Sequence, residues 1–328
     1  MVGFARFLMH RRRCLAAGML SVLGLLSGSF NVVRSQDTAY VRRVIRDLAS
    51  PDMYGRGMQH RGDSIAAAYV RNELIDMGVK PLCKDYYQYF RFPNTTSRPP
   101  IVRAGYRSQN VCGYIPGETD SMIVFTAHYE HLGMHGDTIF FGAHDNASGT
   151  AAVLDLARTL SKVQTDAGAL RYTYVFLFFG GEEAGLIGSG FFADMPLIKM
   201  NKVKLLINID LFCGGEEGLM VVNANARETA PYVDLLQQLN EHELNASGLS
   251  ATVAGQSGYH SYAAKIGRRD NAPNSDHYYL SQLCPAIFIY TLGGPYGGYH
   301  SPTDTCDSCG LDHYPRFLTL LLSFLQHL

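Results

Sequence analysis

YTYVFLFFGGEEAGLIGSGFF, residues 172–192, opens on eight residues that are nearly all aromatic or β-branched. The run shows no polar alternation. A strand of this kind is buried on both faces and belongs at the middle of a sheet covered by helices. Gly180-Gly181 ends it, and Glu182 and Glu183 follow at once. Two charges beside a core strand are costly unless something compensates them. In open α/β sheets that something is usually a site, because sites gather at the carboxyl ends of parallel strands.

Other segments repeat the arrangement. SMIVFTAHYEHLG (121–133) runs into His128, and KLLINIDLFCGG (204–215) runs into Asp210. PAIFIYTLGGPYGGYHSPTDT (285–305) leads to His300, and GAHDNASG (142–149) carries Asp145 at a helix entry. Two imidazoles and several carboxylates delivered to one rim suit a hard-to-borderline cation, zinc above others. Two such ions about 3.5–4 Å apart require a bridging carboxylate, with a His and a second carboxylate on each side. Asp145 is the natural bridge. Consecutive glutamates on extended backbone point to opposite sides. One of the pair can then bind metal while the other takes a proton from activated water as general base.

Helical spacing is read over 37–50, where Tyr40, Val41, Val44, Ile45 and Leu48 share a face, and over 64–77, 148–162, 231–244 and 313–328. Strands are read at 109–115, 121–127, 172–179, 203–209, 219–223 and 286–290, with an edge strand at 85–92. Residues 246–275, rich in Gly, Ser and Asn, read as an irregular active-site loop. The alternation of helices and strands predicts an α/β fold whose sheet is covered on both faces. With no repeat and no linker, residues 36–328 read as a single catalytic domain.

The first 35 residues hold five arginines and no acid, and Arg11–Arg13 precede an apolar stretch, Cys14–Leu26. That stretch is about 13 residues, short of the roughly 17–25 a membrane span needs. It reads as a signal peptide cleaved after Ser35, giving an exported protein, periplasmic or extracellular, with no stable membrane insertion once the leader is gone. Without those arginines the formal charge falls from −1 to −6. An acidic protein with no basic stripe is a poor partner for nucleic acid. Six of the seven cysteines lie beyond the leader. Cys306-x-x-Cys309 reads as a disulfide or as free thiols, and no second CxxC exists to complete a four-cysteine zinc site.

Taken in order, AHYEHLG, GAHDNASG, GEEAGLIGS, NID and YHSPTDT resemble the motifs of the bacterial leucyl aminopeptidase family of di-zinc exopeptidases, over roughly residues 110–310. The superfamily also includes glutaminyl cyclases. The resemblance implies a phosphorylase/hydrolase-like architecture: a twisted mixed, mostly parallel sheet of about eight strands flanked by helices. It implies two zinc ions per chain, with cobalt or manganese as possible substitutes. His128 and Asp210 would bind one ion, Glu183 and His300 the other, and Asp145 both; Glu182 would be the general base. Glu130 stands where the family usually has an Asp that orients the first His, and His144 where it often has an Asp before the bridge. Ser275-Asp276-His277 resembles a motif near the family's substrate pocket, which places Asp276 and His277 there. His131 and His135 read as loop residues.

The leading expectation is an aminopeptidase acting on peptide substrates. A glutaminyl cyclase, with one zinc and typically a Trp-lined pocket, fits less well because the chain has no Trp. A carboxypeptidase or dipeptidase would share the metal core. A non-catalytic binding module would have lost ligands that are all present here.

Overall fold

The structure, a computed structural model, describes residues 38–97, 100–224, 226–247, 273–293 and 298–328. The leader at 1–35 and most of the loop read at 246–275 lie outside the described residues. The chain lays down α1 (Thr38–Leu48) and α2 (Gly62–Asp76), then β1 (Lys80–Pro81), β2 (Tyr87–Arg91), β3 (Arg107–Ile115) and β4 (Met122–His128). A small antiparallel pair follows, β5 (Met134–His135) with β6 (Thr138–Ile139). Next come α3 (Ser148–Ala167), β7 (Thr173–Phe179), α4 (Ile187–Asp194), β8 (Val203–Ile209), β9 (Gly218–Asn223) and α5 (Ala226–Ser247). The last elements are α6 (His277–Leu280), β10 (Ala286–Leu292) and α7 (Tyr314–His327).

The eight-stranded sheet runs β1-β3-β7-β4-β8-β10-β9, with β2 also paired to β3. Its four central strands, β7, β4, β8 and β10, are parallel, and the flanks are antiparallel. This is the mixed, helix-flanked sheet expected from the sequence. Every residue of β4 is buried. Side chains alternate between two cores. Ile123, Phe125 and Ala127 join Tyr174, Phe176 and Phe178 in the core that also holds Leu154 of α3. Val124 joins Val175, Leu177 and Phe179 against Phe192 of α4 and Leu280 of α6. Each large apolar side chain so buried contributes about 1.5–3 kcal/mol.

The reading misses β1, β5, β6, α4 and α6, and it starts α5 too late. Helix α4 was absorbed into the Gly-rich run after Glu183, since Gly188 and Gly190 mask its period. Helix α5 begins at Ala226, upstream of Pro231, which sits inside it rather than opening it.

The register explains the rim. His128 pairs with Phe179 across β4 and β7, while Thr126 and Phe288 pair with Asn208 from either side of it. The ends of β4, β7 and β8 therefore stop side by side, and His128, Glu182, Glu183 and Asp210 emerge together.

Candidate metal centre

Asp145 stands at the centre of this rim. Its Oδ1 lies 3.4 Å from His128 Nε2, which is 3.3 Å from Asp210 Oδ1. Its Oδ2 lies 3.0 Å from His300 Nε2, which is 3.0 Å from Glu183 Oε2. Each oxygen of one carboxylate thus faces one imidazole, and each imidazole faces a second carboxylate. His128, Asp145 and Asp210 are buried. His300 is the open member, with its side chain 38% exposed and its ring stacked on Tyr299 at 3.9 Å.

A dense hydrogen-bond frame holds these groups. Thr126 donates to Asn208 (2.7 Å), Asn208 to Ser275 Oγ (2.8 Å), and Ser275 Oγ to Asp210 Oδ2 (2.8 Å). Asp304, from the His300 motif, accepts the N–H groups of His144 (2.8 Å) and Asp145 (3.0 Å). Asn146 Oδ1 accepts the N–H of Gly149 and of Leu211, which joins the Asp145 loop to the Asp210 loop. Arg56 is fully buried and donates to the main-chain oxygens of Leu48, Tyr129, Phe141, Gly142 and Asp145 at 2.6–3.3 Å. One guanidinium thereby fixes both ends of the loop between His128 and Asp145. Burial lowers it to about 10 against the pull of Asp304 and Asp145, so it stays charged at neutral pH. His300 (φ 53°) and Leu211 (φ 54°) take left-handed backbone, which costs energy and clusters at functional sites.

Charge at the rim is unbalanced. Burial alone would lower His128, but Asp210 and Glu182 hold it well above its ordinary value. Burial would likewise lower His300, and Asp145 and Glu183 raise it to about 10. Asp145 goes well below the usual carboxylate range, because His128 and His300 outweigh its burial. Glu182 goes the other way, pushed well up by burial with Glu183, Asp276 and Asp210 nearby. Glu130 rises to about 8, chiefly by burial. Asp145 Oδ2, Glu183 Oε1, Asp210 Oδ1 and Glu130 Oε2 are buried without a well-directed hydrogen bond. Native proteins rarely leave such atoms unsatisfied. Oxygen and imidazole donors aimed inward with spare lone pairs fit a zinc centre.

Three sequence expectations change here. Glu130 does not orient the His128 ring with its carboxylate. The ring Nδ1 meets the Glu130 main-chain oxygen at 3.1 Å, while Oε1 is 3.9 Å away. The longer side chain instead reaches the next strand end, where Oε1 accepts the N–H groups of Glu182 (2.5 Å) and Glu183 (3.2 Å). Asp276 and His277 are fully buried and do not line the cavity beside the acids. Burial moves them to about 6 and about 3, and His277 stacks on Phe288 at 4.7 Å. Their motif acts through Ser275, which holds Asp210. Of the two histidines read as loop residues, His135 lies in β5, while His131 does lie in a loop but is wholly buried, with Nδ1 2.7 Å from Glu183 Oε1. The one signal for it was a second His three residues after His128. Arg56 gave no sequence signal beyond lying in a turn-rich segment.

Glu182 and Glu183 do diverge, but across a turn. Gly181 (φ 74°) reverses the backbone, and the N–H groups of Gly185 and Leu186 bond back to Glu182 O. Glu182 lines a cavity of about 210 Å³ together with His128, Asp145 and Asp210. Its other walls are Leu211, Asn274, Phe288, Tyr290 and Tyr299. A disulfide joins Cys213 to Cys309, and Cys306 is free. The CxxC is therefore not a pair.

The described residues form an α/β fold built on a mixed eight-stranded sheet. Two solved structures share it, each covering 89% of this chain with a TM-score of 0.65. One is a glutaminyl cyclase of Bacteroides thetaiotaomicron bound to N-acetylhistamine (14% identity, 98% of that chain covered), the other a leucine aminopeptidase precursor of the same organism (15%, 97%). Residues 110–325 match the model of peptidase family M28, and the chain belongs to that family. Aminopeptidase YwaD of Bacillus subtilis (strain 168) is 27% identical over 211 residues, which are 61% of this chain and 40% of that protein. The first curated relatives are longer proteins, of which the chain spans between 21% and 40%.

Proposed function

We propose that this chain is a zinc-dependent aminopeptidase that removes N-terminal residues from peptides, with two ions shared among His128, Asp145, Glu183, Asp210 and His300. The observation that carries the reading is Asp145, with one oxygen 3.4 Å from His128 and the other 3.0 Å from His300. Membership of family M28 supports peptide-bond hydrolysis, and the likeness to a protein named an aminopeptidase supports the amino end.

When bound, zinc would supply Lewis-acid polarisation of the scissile carbonyl and a lowered pKa for the attacking water. The remaining tasks fall to the chain. Glu182 sits on the cavity wall beside His128 and accepts the proton of the attacking water, then returns it to the leaving amine. Glu130 holds the main chain of Glu182 and Glu183, and Ser275 holds Asp210. Phe288, Tyr290 and Tyr299 line the cavity with aromatic side chains.

A cyclase reading keeps one argument, since the cyclase structure superposes as well as the aminopeptidase. Metal content separates the two: one zinc per chain would favour the cyclase. Hydrolysis of aminoacyl-nitroanilides should stop on chelation and return with zinc. Cleavage of free but not N-acetylated peptides should distinguish the reading from a carboxypeptidase. Turnover that resists chelator would overturn it. Export is part of the proposal and rests on residues 1–35; the mature protein should begin at Gln36, which N-terminal sequencing checks.

A further inference from the structure

His131 is wholly buried, yet neither of its ring nitrogens makes a well-directed hydrogen bond. A buried imidazole normally satisfies at least one. Here Nδ1 lies 2.7 Å from Glu183 Oε1 and 3.9 Å from Asp145 Oδ2. Both oxygens are also buried without a well-directed hydrogen bond. The contact to Glu183 is short but not aligned as donor to acceptor. Atoms that flank a common point look like this. Ligands of one tetrahedral zinc, each about 2.0–2.2 Å from the ion, sit roughly 3.4 Å from one another. The separations of 2.7 Å and 3.9 Å bracket that value. One ligand atom from each of His131, Asp145 and Glu183 lies within 4.8 Å of the others.

The ring is also held in place. A Cβ added at Gly142 would sit 2.5 Å from its Cγ and Cδ2, so this glycine makes room for it. His300 packs edge-on against it, centroids 5.9 Å apart, and already faces the same two carboxylates.

We infer that His131 is a metal ligand, adding a third imidazole to the centre on the side of Glu183 and His300. The inference rests on the two-ion reading above and deepens it. That ion would take Asp145, Glu183, His131 and His300, while the other keeps His128, Asp145 and Asp210. The asymmetry predicts that the ion on the His131 side binds more tightly.

The test uses the whole protein labelled with ¹⁵N-histidine and loaded with ¹¹³Cd. Scalar coupling between cadmium and an imidazole nitrogen passes only through a coordinate bond. Three coupled rings are expected, falling to two in His131→Asn. A zinc titration of the metal-free protein should show one binding step weakened at least tenfold in His131→Asn and the other unchanged. Two cadmium ions with only two coupled rings would leave the centre standing and remove His131 from it. A single cadmium would overturn both this inference and the two-ion reading. If His131→Asn fails to fold, the ring count in the unsubstituted protein still decides.

Discussion

Two groups of acids in this protein are built in opposite ways. Where α1, α2 and α3 meet, three acids have basic partners: Arg43 reaches Asp47 at 3.3 Å and Glu73 at 2.8 Å, and Arg158 reaches Asp155 at 2.8 Å. Tyr40 lies beneath both guanidiniums, 5.0 Å and 4.4 Å from their carbons. At the strand ends, Glu130, Asp145, Asp210 and Asp276 are buried with Glu182 and Glu183 beside them, and the one buried Arg or Lys among the described residues, Arg56, is spent on main-chain oxygens. The first group is complete as it stands and needs nothing from outside. The second leaves oxygens without partners, an arrangement that costs several kcal/mol per ion unless cations compensate it. Paired charges mark a structural cluster, and unpaired buried ones mark the place where a ligand belongs.

Substitutions sharpen the contrast. The largest effect belongs to Glu182→Gln, which should cut kcat on an aminoacyl-nitroanilide by about 10²–10⁴-fold. Zinc content by mass spectrometry should not change. A variant with normal kcat would remove the base from the proposal. Next is Arg56→Met, which strands five main-chain acceptors in the interior. At about 1–3 kcal/mol for each buried unsatisfied group, part of it recovered by relaxation, the expected loss is at least about 3 kcal/mol in urea unfolding. Ser275→Ala is milder. It frees Asp210 Oδ2 and should weaken zinc about tenfold at the His128 side alone, as calorimetry would show. Smallest is Arg43→Ala, with a side chain 44% exposed to solvent. Screening there holds the expected cost below about 1 kcal/mol, with no change in turnover. An Arg43→Ala effect as large as that of Arg56→Met would erase the distinction between the two groups.

The parts of this site legible in the sequence are those that follow from strand ends. An apolar run such as Tyr172–Phe179 announces a central strand, so the acids just past it announce a rim. His128, Asp210 and His300 stand out for the same reason and Asp145 for its place at a helix entry, and the structure brings them together. What the sequence hid depends on packing between distant segments. Arg56 lies in a turn, and its partners are main-chain oxygens as far away as Asp145. Glu130 looked like a substitute for a shorter acid, but its extra methylene carries it to a different partner. Asp276 and His277 carry a pocket-like motif, yet both are buried where a short helix begins, with His277 stacked on Phe288. His131 had no periodic signal at all, and only the fold sets it beside Glu183.

The central claim is that two cations share Asp145. Anomalous diffraction from crystals of the zinc-loaded protein tests it most directly. Two peaks about 3.5–4 Å apart, one on each side of that carboxylate, are the expected result. A single peak, or peaks away from Asp145, would contradict it.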